Sequence, residues 1–217
     1  MAGVCSEAMM RYNVESVNRP WCSDETCDCR RYLDGEIDWD EMNEHPYESS
    51  ILLDWCCAAG FCHKGQRSGQ AFRMKKAMVN SLAVLTTCYP YAPEEERFIF
   101  GDFLVDEAVP GDEGEAGYVT ASPDSEIRIA LSDRECAAMK FWKYYANGSS
   151  PSVPLWGTGL FRYLETSKRR RSCGISRASE KSRRTGNWHS GFFSHFCRIK
   201  GIDPALLPDP QGALMRT

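Results

Sequence analysis

Two runs of apolar, β-branched and aromatic residues, 81–88 (SLAVLTTC) and 97–107 (RFIFGDFLVDE), flank the turn Tyr89-Pro90-Tyr91-Ala92-Pro93. Such side chains fit a pleated, half-buried surface, and proline interrupts strand pairing, so the pattern predicts two strands joined by a short connection. Gly101 inside the second run marks a bulge or a close approach of another backbone. An acidic, glycine-rich loop, 110–117, leads to two more strand-like stretches, 117–121 and 126–131. The expectation is an α+β domain: a small antiparallel, barrel-like sheet over about residues 81–131, packed by helices on either side in sequence.

The helices are read from periodicity. Residues 47–61 place Ile51, Leu52, Trp55, Cys56 and Ala59 at helical spacing, with Gly60 as a stop. Residues 132–147 open on Ser132 and Glu135, a capping box. Cys136, Met139, Trp142 and Tyr145 then recur every third residue, and Gly148 follows the last turn. A loop with Pro151 and Pro154 leads into the aromatic segment 156–163, and residues 192–200 form a last helix stopped at Gly201. The organisation is a Cys-rich segment over 1–46, a core over 47–164, a basic segment over 165–191, and a helix with an irregular tail over 192–217.

Composition narrows the class. The chain has 217 residues and a net charge of -4, a length suited to one domain. No apolar run approaches the roughly 20 residues of a membrane helix, and residues 1–11 lack a signal-peptide pattern. A cytoplasmic, reducing setting is therefore expected, with most of the eleven cysteines as thiols. Charge is unevenly spread. Residues 165–191 hold eight Lys/Arg against two Glu, leaving 18 Lys/Arg against 28 Asp/Glu elsewhere, so the segment is +6 and the remainder -10. An acidic body is a poor platform for non-specific phosphate binding.

In the basic segment only Cys173, Ile175, Ala178 and Trp188 are apolar, too few to offset ordering entropy. Read as it stands, it is a basic disordered loop able to touch nucleic acid. Back-translation with permissible codons and a two-nucleotide shift gives DEQAAEILRDIARIREEPADWELAQRFF, an amphipathic helical pattern that runs directly into Phe192-Phe193. A pair of compensating frameshifts is the expectation favoured here, and with it the loss of a helix that would complete the core.

The set SLAVLTT, RFIFGDFLVDE, GYVT, FWKYYAN and HFCRIKGID resembles a family of small, functionally uncharacterised bacterial proteins, over about residues 12–164 and 192–214. In that family a DEQAA-ILRDI type helix follows the dipeptide matching Arg162-Tyr163, which agrees with the frameshift reading. The name malate synthase, carried by some relatives, implies a (β/α)8 barrel of about 250 residues, more than this chain supplies. A looser resemblance of residues 81–163 is to PUA-like barrels of the EVE and ASCH types. It implies a small β-barrel with an aromatic pocket for a flipped or modified base.

Four candidate sites follow. Trp142, Asn147, Trp156, Arg162 and Tyr163, with Phe161, could stack a nucleobase and read its edge. Core packing is the competing explanation, strongest for Trp142 and Tyr145. Cys22, Cys27 and Cys29 could supply soft ligands to a structural zinc. Cys5, His63, His195 or Cys197 would be the fourth, and Cys197 is the one selected. Unliganded thiols are the plainer reading, and the related family's Cys near the position of Val14 is missing here. Asp102, Asp106, Glu107, Asp112 and Glu113 could hold a metal or perform acid/base work, although a solvated sheet face explains them more simply. Of His45, His63, His189 and His195, none stands in a nucleophile–base pattern, and no GxSxG, P-loop or Rossmann fingerprint occurs. The expected function is a ligand-binding module, with a nucleobase or modified nucleic acid as the ligand it would read. The alternatives are a zinc-stabilised protein-interaction domain and an enzyme of unidentified class.

Overall fold

The computed structural model describes residues 7–16, 22, 24–62, 65–124, 127–157, 161–163, 190–203, 205 and 209–216. Its elements in chain order are α1 (Glu7–Glu15), α2 (Asp28–Leu33), α3 (Tyr47–Asp54), β1 (Cys56–Ala58), β2 (Leu82–Thr87), β3 (Phe98–Val109), β4 (Tyr118–Ala121), β5 (Arg128–Ala130), α4 (Asp133–Ala138) and α5 (Ser190–Lys200).

The long strand β3 organises the sheet. Its first half pairs with β2 from Leu82↔Leu104 to Thr87↔Phe98, and its second half pairs with β4 from Val105↔Ala121 to Val109↔Tyr118. β5 pairs with Gly101, Asp102 and Phe103. Since β2 faces those same residues, β5 must take the edge opposite to it. The result is an open, five-stranded antiparallel sheet of order β1-β4-β3-β2, with β5 beside β3. The α+β class stands, but the sheet does not close as the expected barrel: β1 and β2 are opposite ends of this order, and β1 and β5 are only three residues long.

Gly101 explains how three strands meet at one point. The β2–β3 register shifts beside it, between Leu85 and Thr86. A Cβ at 101 would lie 2.7 Å from the Ile129 carbonyl oxygen of β5. A bare α-carbon lets β5 approach at that level.

Two expected helices are shorter than their periodicity implies. Residues 47–61 form α3 only as far as Asp54. Trp55 turns the chain in the left-handed conformation (φ 50, ψ 39), and Cys56–Ala58 then pair with Tyr118–Thr120. The Trp55 carbonyl accepts the Ala121 N–H at 2.9 Å, and its ring meets Phe103 edge-on. These contacts offset a conformation that costs a non-glycine residue about 1–2 kcal/mol. Residues 132–147 begin as read, with the Ser132–Glu135 capping box in place, but α4 ends at Ala138. Beyond it, Ile99 N–H donates to the Met139 carbonyl and Phe141 N–H donates to the Arg97 carbonyl, both at 2.9 Å. Pairing with the start of β3 has replaced further helical hydrogen bonds. Residues 141–143 make only a 3-10 turn.

The first eight residues of β3 are buried, and Ile99, Phe100, Phe103 and Leu104 are the centre of the main core. α3 contributes Ile51, α4 contributes Cys136, and α5 contributes Phe192, Phe196 and Cys197. A second, smaller core gathers Met10, Cys29 and Met42 from the N-terminal segment. The tail is tied down where Gly212 N–H donates to Lys143 O and Ala213 N–H to Tyr145 O. No helix among the described residues is long and apolar enough to cross a membrane.

Candidate ligand-binding site

A cavity of about 430 Å³ opens beside β2. β2 is an end strand of the sheet, and residues 82–86 all line the space. Phe100 and Val105 of β3 and Val119 of β4 contribute sheet side chains, Tyr47, Glu48 and Ile51 come from α3, and Phe196 and Lys200 come from α5. Trp156, Phe161, Arg162 and Tyr163 complete the lining together with the 74–78 loop.

Three of the five expected ligand-binding residues, Trp156, Arg162 and Tyr163, therefore lie on one cavity wall. Gly157, at φ +83, makes room for this arrangement, because a Cβ there would stand 3.1 Å from Arg162 Nη2. The Arg162 guanidinium lies over the Trp156 ring at 4.9 Å from its centroid, and that of Arg97 lies over the same ring at 4.4 Å. Tyr163 is fixed from the other side, its hydroxyl accepting the Lys76 N–H at 3.3 Å.

The other two take different places. Trp142 is fully buried, and its indole N–H donates to Glu94 Oε1 at 3.2 Å. Glu94 also grips Arg97 through two hydrogen bonds. Trp142 is thus a core residue one layer behind Trp156, and the core-packing explanation applies to it. Asn147 does not line the cavity but sets its wall. Its Oδ1 accepts from Arg162 Nη1 at 2.9 Å, while its Nδ2 donates to the carbonyls of Val153 and Leu155. Both ends of the amide are therefore engaged.

Charge and protonation at the cavity are lopsided. Among the described residues its charged lining is Lys76, Arg162, Lys200 and Glu48, and Glu48 accepts the Thr87 hydroxyl at 2.9 Å. That described lining is net positive, on a body of charge -10 outside residues 165–191. Cys57 also lines the space. Burial, and secondarily the neighbouring Cys56, pushes its thiol up to about 12, so it stands there as a neutral, poorly nucleophilic group.

The cysteine candidates Cys27, Cys29 and Cys197 are divided between two cores among the described residues. Cys29 belongs to the small N-terminal core and Cys197 to the main one. Among the described residues no group of three or more His, Cys, Asp or Glu is placed to hold a metal ion. Cys5, His63 and His189 lie outside the described residues, as does most of the basic segment. Of the acidic set, Asp102 is completely buried, against the expectation of a solvated face, whereas Asp106 and Glu107 are exposed. The extra β3 residue at the β4 register shift, Asp106, breaks the parity it would share with Asp102. Asp112 accepts the N–H groups of Gly114 and Glu115 and shapes its own loop.

Sequence reasoning missed the lining from α3, β2 and the 74–78 loop. Met74, Ala77 and Met78 line the cavity from a loop that also carries Lys75 and Lys76, and no local pattern in the sequence marks that loop. Comparison with protein-family models, with curated proteins and with solved structures yields no match.

Proposed function

We propose that this protein is a binding module for a small molecule, held in the cavity between β2, α3 and the 156–163 segment. The observation that carries the reading is the cavity of about 430 Å³ lined by Trp156, Arg162 and Tyr163. Its volume falls in the range of about 300–1,000 Å³ of ligand pockets, and its mostly apolar lining with a few polar groups is their usual character. A nucleobase is the ligand the sequence suggests, in the manner of a PUA-like reader. The geometry gives it less support: the Trp156 ring already carries two guanidinium groups, and the Asn147 amide is committed to Arg162 and the 153–155 backbone.

Thermal denaturation against a panel of cavity-sized bases, organic acids and neutral molecules tests the reading. A ligand at about 100 times its Kd stabilises by about 2.7 kcal/mol, which raises the Tm of a chain this long by about 5–10 °C. Ala77→Trp, which places an indole in the cavity, is expected to abolish the rise. A panel in which no compound raises the Tm contradicts the proposal.

A second reading is favoured by where the basic segment begins and ends. Phe161, Arg162 and Tyr163, just before it, and Phe196 and Lys200, just after it, all line the cavity. If residues 165–191 are a shifted reading of codons for an amphipathic helix, the cavity is the seat of a helix that this chain does not encode. A chain carrying the shifted-frame sequence in place of 165–191 tests this. A higher Tm together with loss of small-molecule binding supports the vacant seat. An unchanged Tm with binding retained supports the ligand pocket.

A further inference from the structure

Resting on the reading of the cavity as a ligand pocket, we infer that its ligand is a small amphiphilic carboxylate, an aliphatic or aromatic body with one acidic head. Ile51, Leu82, Val84, Leu85 and Phe100 offer the body an apolar bed. At about 30 Å³ per heavy group, the share of one liquid water, the space takes on the order of fourteen such groups. That suits a single short chain or ring system and is far too small for a polymer.

The head is assigned by charge. Arg162 and Lys76 reach the cavity from segments joined through the Tyr163 hydroxyl. Among the described residues neither cation pairs with a carboxylate. Arg162 is held by a neutral amide and an indole face, which orient the guanidinium without compensating its charge among the described residues. A fixed fork of N–H donors beside an apolar cavity is suited to a planar carboxylate. Glu48, the one acidic residue among the described lining residues, accepts the Thr87 hydroxyl.

Isothermal titration of the full chain with decanoate, and with decanol as a neutral partner of the same length, tests the inference. Decanoate is expected to bind at least about tenfold more tightly than decanol, the effect of one charged hydrogen bond. Arg162→Gln and Lys76→Met are each expected to weaken decanoate by about tenfold and to leave decanol unchanged. Lys76 is exposed, so its substitution does not endanger folding, and an unchanged unfolding midpoint verifies the Arg162 variant. Equal binding of decanoate and decanol overturns the inference while leaving the pocket intact. Decanoate binding that neither substitution weakens also overturns it. Failure of both compounds to bind removes the inference. The pocket reading itself falls only if the broader thermal panel is silent as well.

Discussion

Gly101→Ala is the most informative single change to the fold. Its new methyl would lie 2.7 Å from the Ile129 carbonyl oxygen, 3.3 Å from Leu85 Cδ1 and 3.5 Å from Leu52 Cδ2. The two leucine contacts can relax by rotation, but the carbonyl cannot. β5 must move away from β3, straining the pairs Gly101↔Ala130, Asp102↔Ile129 and Phe103↔Arg128. Overpacking costs about 1–3 kcal/mol, and a backbone obstacle places this site at the upper end, about 2–3 kcal/mol. At about 2–4 °C per kcal/mol for a chain of this length, the Tm should fall by about 4–12 °C. Circular dichroism on heating provides the assay. Gly148→Ala, where an added Cβ meets nothing within 4 Å, is the control, expected to change stability by less than about 1 kcal/mol. If Gly101→Ala unfolds at the parent's temperature, the three-strand junction is wrong and with it the placement of β5.

Other expectations concern the N-terminal unit and the cavity thiol. Asp28 accepts the N–H groups of Asn43 and Glu44 and pairs with Arg31. The two backbone donors, Glu44 first, hold its carboxyl below the ordinary 3.8. A depressed folded-state value contributes stability above 3.8 that is lost as pH falls through the lower, folded value. The stability difference between parent and Asp28→Asn should therefore be present at about pH 6 and shrink towards about pH 2; a pH-independent difference contradicts this. Cys57, with its thiol near 12 against an ordinary 9.0, should react with iodoacetamide roughly a thousandfold more slowly than an unperturbed thiol, from the thiolate fraction alone. Peptide mapping after timed alkylation measures this, and labelling at the unperturbed rate refutes it.

The strands were legible because the signal is local. In 81–88, 97–107 and 117–121, β-branched and aromatic residues bounded by proline and glycine leave few alternatives, and Gly101 announced the close approach of β5. Helix ends were not legible, because tertiary pairing decides them. Nothing in the 47–61 periodicity says that Trp55 turns left-handed to let Cys56–Ala58 join β4. Nothing in the i, i+3 spacing says that Met139 gives its carbonyl to Ile99. Trp142 was legible as core from the face it shares with Cys136 and Met139, and it is buried there although α4 ends at Ala138; only its grouping with the pocket aromatics is corrected. Trp156, Arg162 and Tyr163 could be found because a glycine-bearing aromatic segment is hard to explain as plain packing. Their partners on α3 and β2 are distant in sequence, and only the folded sheet edge brings them together.

The central claim is that one open space beside β2 receives a small apolar acid. Methyl-resolved NMR of the full chain during titration with decanoate reads it most directly. Saturable shifts concentrated on Ile51, Leu82, Val84, Leu85, Val105 and Val119 are the predicted result. Decanoate-induced shifts that spare these methyls, or move Met10 and Met42 of the N-terminal core instead, would contradict it.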